Sequence, residues 1–277
     1  MTGRMTMHLV GHRHVFLGAA LVWVLLEWLW RRRFAGRGYD VKGALASLAV
    51  GAGHLVAGAA GALLTGGVFA AAQRWAPVHW PLRDWRTWLA CFVLVEFAYY
   101  GYHRCSHTVR WMWATHAVHH TPEEMTLLSS IRLGWTNVLS LGWVFYLPLV
   151  LAGFDPRMVF ALLALDLHYQ FFLHTEAVGT LGPLEWVLNT PAHHRVHHGS
   201  NPVYLDCNYG GMVIVFDRLF GTFRQQRADE PIRYGLAHPL DSRNPFVLAF
   251  GEWLRLLRAL RAAPDLRHAW RLVAGRP

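Results

Sequence analysis

Charge is scarce in this chain. Asp, Glu, Lys and Arg make up 16% of its 277 residues, against roughly 25% in an average soluble domain. Lysine is almost missing: Lys42 stands alone, so the formal charge of +9 rests on arginine. No nucleic-acid-binding signature accompanies that charge, which argues against DNA or RNA as a partner. Basic residues beside apolar runs more often meet anionic lipid headgroups. Cysteine is scarce too. Cys91, Cys105 and Cys207 are odd in number and lack CxxC spacing, which excludes a disulfide framework and a zinc ribbon. No dinucleotide glycine fingerprint opens a helix. Neither a fused haem or flavin module nor an internal repeat is visible. The first apolar stretch, Val15–Trp30, ends in Arg31-Arg32-Arg33 without a small-residue cleavage site, so it reads as a retained anchor.

Apolar residues take the place of charge. They form 54% of the chain, with 14 Trp and 9 Tyr, rings that favour the lipid–water boundary. Apolar runs cover 15–30, 44–72, 87–102, 136–153 and 156–174. A spanning helix needs roughly 17–25 residues, so several of these are near the limit. The 44–72 run is rich in Gly and Ala and reads either as a closely packed span or as a re-entrant hairpin. Arg31, Arg32, Arg33, Arg37 and Lys42 mark 31–42 as cytoplasmic. Alternation then puts 103–135 and everything after 174 on that same side. Arg74, Arg83 and Arg86 conflict with an outside 73–86, a conflict the hairpin would remove. The expected fold is all-α: an integral membrane helical bundle of about four or five spans under a cytoplasmic, histidine-rich helical cap. Trp253–Val273, with alternating Leu and Arg, reads as an amphipathic helix that lies on the membrane or packs on the cap.

The chain has 18 histidines. Nine fall into clusters: His103 and His107, then His116, His119 and His120, then His174, then His194, His197 and His198. On a helix, residues three and four apart share a face, so each HxxHH cluster is expected to form one three-nitrogen face. His174 ends an apolar run and can reach the same pocket. Together they are enough to enclose two metal ions. Imidazole suits Zn, Cu, Fe and Ni alike, but nine nitrogens exceed what zinc hydrolysis uses. Two irons at an all-nitrogen site, walled by apolar helices, would suit dioxygen activation and attack on a C–H bond.

Three stretches carry a family resemblance. They are Glu96–His107, Trp113–His120 and the long run Phe171–Phe223, with a further motif at Tyr234–Pro239. They resemble the fatty acid hydroxylase and sterol desaturase superfamily of membrane di-iron oxygenases, most of all its alkylglycerol monooxygenase branch. The likeness covers roughly 90–240. It implies a di-iron catalytic domain in 87–240, which leaves the apolar runs of 1–86 as membrane spans and 241–277 as an amphipathic segment. It further implies hydroxylation of a lipid alkyl chain by dioxygen, with ether cleavage in that branch. The electrons would come from tetrahydropterin (tetrahydrobiopterin) or another external donor such as a ferredoxin or haem protein. Desaturation of a sterol, carotenoid or fatty-acyl chain is the alternative within the superfamily, and metal transport the rival outside it.

Other residues are weighed beside the nine. Glu96 lies two turns before His103 on nearly the same face, and a buried acid in an apolar helix is functional by default; it is expected to orient a ligand or deliver protons. Asp206 is expected to bond a ligand histidine. His193 reads as a ligand or, preferably, as a donor behind one. His168 is a weak ligand candidate, expected to pair with Asp166. His238 is ambiguous, and His8, His12, His14, His54, His79 and His268 read as interfacial or packing residues. The wealth of Arg, Ala and Gly points to a bacterial cytoplasmic membrane. The oligomeric state is not readable.

Overall fold

The computed structural model describes residues 2–277, with side chains described from Phe16 onward; His8, His12 and His14 therefore lie outside the described side chains. Four long helices carry apolar runs: α1 (Thr2–Arg33), α2 (Val41–Gln73), α3 (Trp85–Thr108) and α6 (Pro156–Phe171). The remaining helices are α4 (Arg110–His116), α5 (Leu147–Leu151), α7 (Pro191–His197) and α8 (Val215–Leu219), followed by α9 (Pro245–Arg261) and α10 (Leu266–Ala274). Five 3₁₀ turns join them, and the described residues contain one isolated β-bridge, Leu188–Val213, but no strand. The all-helical expectation is met.

Helix starts are written in the sequence. Asp84 and Asp155 each accept a hydrogen bond from the amide two residues on, and Pro156 follows Asp155 at the first helical position. Asn244 and Pro245 repeat that device for α9. Such caps satisfy amides that the helix leaves unpaired.

Of the four long helices, α2, α3 and α6 share a core of Phe69, Cys91, Val95, Met158 and Val159, with Val150 of α5. Their outer faces are apolar and exposed: Leu21 on α1, Leu55, Val56 and Leu63 on α2, Val93 and Phe97 on α3, Leu165 on α6. A soluble monomer rarely presents so continuous an apolar surface. α2 is long and apolar enough to cross a membrane.

All four helices meet the cap at one end. At α1's C-terminal end, Arg31 pairs with Glu124 at 2.6 Å and Glu176 at 3.2 Å. Glu27, one turn earlier, accepts from Tyr39 Oη, Leu127 N and Thr175 Oγ1. The start of α2 is held by Arg132, whose guanidinium donates to Gly43 O and Ser47 Oγ. At the opposite end, Trp80 bonds Ala152 O and Gly153 O.

Three expectations change. The 44–72 run is one unbroken helix, not a hairpin. The 136–153 run is not a span: it bends at Leu141, in the left-handed region at φ 62°, then forms a 3₁₀ turn (Gly142–Tyr146) and the five residues of α5. Trp253–Val273 is two helices, parted near Pro264. Trp253 and Leu256 of α9 bury against Ala114 of α4, whereas α10 buries no residue and exposes Leu266 and Trp270.

Candidate metal centre

Each of the nine clustered histidines turns into one volume beneath the cap. His103 and His107 close the last turns of α3, and His116 ends α4. His119 and His120 sit in the 3₁₀ turn Ala117–His120. His174 follows α6, and His194, His197 and His198 belong to α7 and its cap. The structure divides them into two groups. His103, His107, His116, His120 and His197 form one; His119, His174, His194 and His198 form the other. Within each group the ligating atoms lie within 4.8 Å of one another.

The division corrects the expected three-nitrogen faces. In each HxxHH cluster the i and i+4 residues go to one group and the i+3 residue goes to the other. Adjacent helical residues diverge by about 100°, so His119 and His120 cannot point at the same place. His197 and His198 diverge likewise, their rings at 89° to each other.

Protonation follows from the hydrogen bonds. Nδ1 of His103 faces Tyr209 O at 2.9 Å, and that of His174 faces Gln170 O at 2.8 Å. His119 Nδ1 faces Arg132 O at 3.3 Å, and His197 Nδ1 faces Cys207 O at 2.9 Å. A carbonyl only accepts, so these Nδ1 atoms carry the proton and Nε2 is left as a bare lone pair. Yet His119 Nε2 and His174 Nε2 lie 3.1 Å apart with no proton to share. His174 Nε2 also lies 3.1 Å from His194 Nε2, and His103 Nε2 lies 3.1 Å from His116 Nε2. The buried Nε2 atoms of His107 and His197 have no partner. Lone pairs converging in a dry interior repel unless a cation sits among them. The donor set therefore fits transition-metal ions.

Burial sets the charge state. It holds the imidazolium form of His116, His119, His120, His194 and His198 far below its usual range, and the neighbouring imidazoles add to this. Burial likewise brings His174 and His197 down to about 4. Neutral imidazole is the form that binds metal.

A cavity of about 570 Å³ opens onto this centre. Its floor includes His107, His120, His197 and His198, with Trp113 beside them, and Arg110, Glu252, Arg255 and Arg276 line it nearer the surface.

The remaining sequence candidates fall elsewhere. Glu96 is buried two turns from His103, but its bonds go to Val213 N and towards Asp166. Asp206 lines the cavity and accepts from Arg276 at 3.0 Å, so its partner is an arginine, not a histidine. His193 turns its ring away, to Phe223 and to Glu185 at 3.7 Å. His168 is exposed and packs on Phe16, with Nδ1 facing Ala164 O, because α6 turns it to the face opposite Asp166. The Asp166–His168 pair does not exist; Asp166 faces Glu96 and Gln170 instead. His238 is exposed at the cavity.

Sequence reasoning missed the groups that hold the rings. The carbonyls of Arg132, Gln170, Cys207 and Tyr209 leave no side-chain signature. Asp217 stands behind one of these carbonyls. Fully buried, it accepts from Tyr209 N, Gly210 N and Thr222 Oγ1, and so fixes the loop whose carbonyl orients His103.

Comparison with known proteins points the same way. The family model described as fatty acid hydroxylase matches residues 88–222. The chain is 42% identical over 179 residues to the alkylglycerol monooxygenase of Xenopus tropicalis, which covers 64% of this chain and 39% of that protein. The human alkylglycerol monooxygenase is 40% identical over 188 residues, 68% of this chain and 41% of its own length. The ornithine lipid hydroxylase OlsE of Rhizobium tropici is 28% identical over 236 residues, 79% of this chain and 69% of its own. The chain thus spans about two fifths of the alkylglycerol monooxygenases it matches. No solved structure matches.

Proposed function

We propose, from the match of residues 88–222 to the fatty acid hydroxylase family model and the likeness to the relatives above, that the chain is a membrane-bound non-haem di-iron oxygenase that hydroxylates a lipid alkyl chain. The observation that carries the reading is the convergence of protonless Nε2 atoms into two adjoining groups. The nine clustered histidines would hold two iron ions, five at one site and four at the other. Iron so held supplies the dioxygen activation that an unactivated C–H bond requires. One oxygen atom enters the C–H bond and the other leaves as water, consuming two electrons and two protons. An external donor brings those electrons: a tetrahydropterin, a ferredoxin or a haem protein. The cavity at His107, His120 and Trp113, rimmed by Arg110, Arg255 and Arg276, is the route we assign to it. The alkyl chain comes sideways from the bilayer, along the apolar faces of the long helices.

The protein's own groups do the positioning. The carbonyls that take each Nδ1–H fix ring orientation. Trp113 lies 5.3 Å from the His107 ring and 5.5 Å from that of His120, where it restricts water at the floor. In this reading α1, α2, α3 and α6 make four crossings, residues 1–86 and 87–240 are the anchoring and catalytic parts, and 241–277 is a surface segment. The cap faces the cytoplasm, where the arginines of 31–37 place it; a bacterial cytoplasmic membrane agrees with the arginine-rich composition.

Hydroxylation is preferred to desaturation because the matched relatives named above are a hydroxylase and monooxygenases. Metal transport is disfavoured because the histidines gather at one end of the long helices, not along them. An ether-linked lipid is the substrate class the most similar relatives favour. The test is lipid profiling of membranes with and without the protein under ¹⁸O₂. Loss of ether lipid with appearance of fatty aldehyde supports the reading. A chain hydroxyl carrying one ¹⁸O keeps the oxygenase and changes the lipid. Unchanged lipids despite two bound irons and added reductant overturn it.

A further inference from the structure

We propose that Glu96 and Asp166 share one proton as a buried carboxyl–carboxylate pair, and that the pair's single negative charge and fixed geometry position the histidine centre. Glu96 of α3 is 1% exposed and Asp166 of α6 is 0% exposed. Their carboxyl groups lie within hydrogen-bonding reach of each other. The outer oxygens are satisfied: Glu96 Oε2 accepts from Val213 N at 2.9 Å, and Asp166 Oδ2 accepts from Gln170 Nε2 at 2.8 Å. The other two, Glu96 Oε1 and Asp166 Oδ1, are buried with no donor. Neither acid makes an ion pair among the described residues. Two ionised carboxylates so placed would repel strongly in a medium of low dielectric constant. One proton between them removes the repulsion and gives both orphaned oxygens a hydrogen bond. The proton then belongs to the pair, not to either residue.

The pair is wired to the histidines on two sides. Gln170, which grips Asp166 with its amide, presents its backbone carbonyl to His174 Nδ1. The same side-chain amide accepts from Tyr99 Oη at 2.8 Å, and the Tyr99 ring lies edge-on to His103 at 5.3 Å. On the other side, Val213 and Met212 are joined to Leu188 and Asn189, just before α7 and its histidines. Asp166 fits so closely against this loop that a Cβ on Gly211 would overlap its Oδ1. Nine neutral imidazoles bring no negative charge to bound cations. Resting on the proposed reading of the histidines as a metal centre, the pair contributes one such charge, one layer out.

Isosteric amides test this in the full chain, reconstituted in lipid nanodiscs. Infrared spectra in H₂O and D₂O report the protonated-carboxyl C=O band, and titration with Fe(II) or Co(II) reports metal affinity. Glu96→Gln and Asp166→Asn each replace one carboxyl and leave the other as the sole anion. Each is expected to lose the band, which then appears in the parent-minus-variant difference, while metal affinity stays with the parent. The double variant Glu96→Gln/Asp166→Asn removes the charge and should weaken metal binding roughly 10–100-fold, the range seen for outer-layer groups. A band that survives in both single variants overturns the shared proton. Equal metal loss in single and double variants overturns the charge argument. A parent protein that binds no metal sinks the metal-centre reading instead, and the infrared band still decides the pair.

Discussion

α2 and the histidine interior are opposites. On α2, Val56 is 75% and Leu63 is 83% exposed. Beneath the cap, His194, Asp166 and Asp217 are all at 0%. Water would enforce the reverse arrangement in both places. The difference teaches that two solvents shaped the molecule. Lipid tolerates the apolar face that water would drive inward, and the cap shelters polar groups because each buried ring or carboxylate finds a carbonyl, an amide or, in our reading, a metal ion.

Four substitutions probe that contrast, strongest first. His197→Ala takes an unpartnered Nε2 from the five-histidine group and should cost more than roughly 100-fold in metal affinity, beyond the upper end for outer-layer changes; metal analysis of purified protein checks it. If His197→Ala kept its metal and its turnover, the ligand assignment would be lost. Val56→Arg puts a charge near the middle of α2, where about 2.5–3.5 kcal/mol opposes insertion. The inserted fraction after alkaline washing of membranes should drop, whereas a water-facing α2 would accept arginine at no cost. Gly134→Ala probes the packed side, since a Cβ there would sit 2.5 Å from Thr115 O, next to His116. Overpacking of this kind costs about 1–3 kcal/mol, read as a lower thermal midpoint in detergent. Least of all, Arg276→Ala breaks the exposed pair with Asp206 and should change stability by less than about 1 kcal/mol; a larger loss would make the cavity rim part of the packed interior.

The contrast also explains what the sequence made legible. Runs of apolar residues announced α1, α2, α3 and α6; among the described residues α2 is the helix long and apolar enough to cross a membrane. The histidine clusters were visible as spacing, and all nine members come together. Their partition into two groups was not visible: it depends on where α7 docks against the turn at 117–120, a long-range contact. Backbone carbonyls that fix ring tautomers leave no trace in residue identity. The pairing of Asp166 with Glu96 rather than His168 turned on helix rotation, since residues two apart on α6 face opposite ways. The break of 136–153 depended on Leu141 adopting a left-handed conformation that a leucine does not advertise.

His119 is bonded to His120, and His197 to His198, and each pair straddles the two histidine groups. Neighbouring Cα atoms across a trans peptide are held about 3.8 Å apart. Two covalent links, on opposite walls, thus act as rulers for the interval between the groups. Side-chain packing adjusts with temperature and with the thickness of the surrounding lipid, but a peptide bond does not lengthen. The interval between the two groups is therefore bounded on both walls by a backbone length that the thickness of the lipid does not alter.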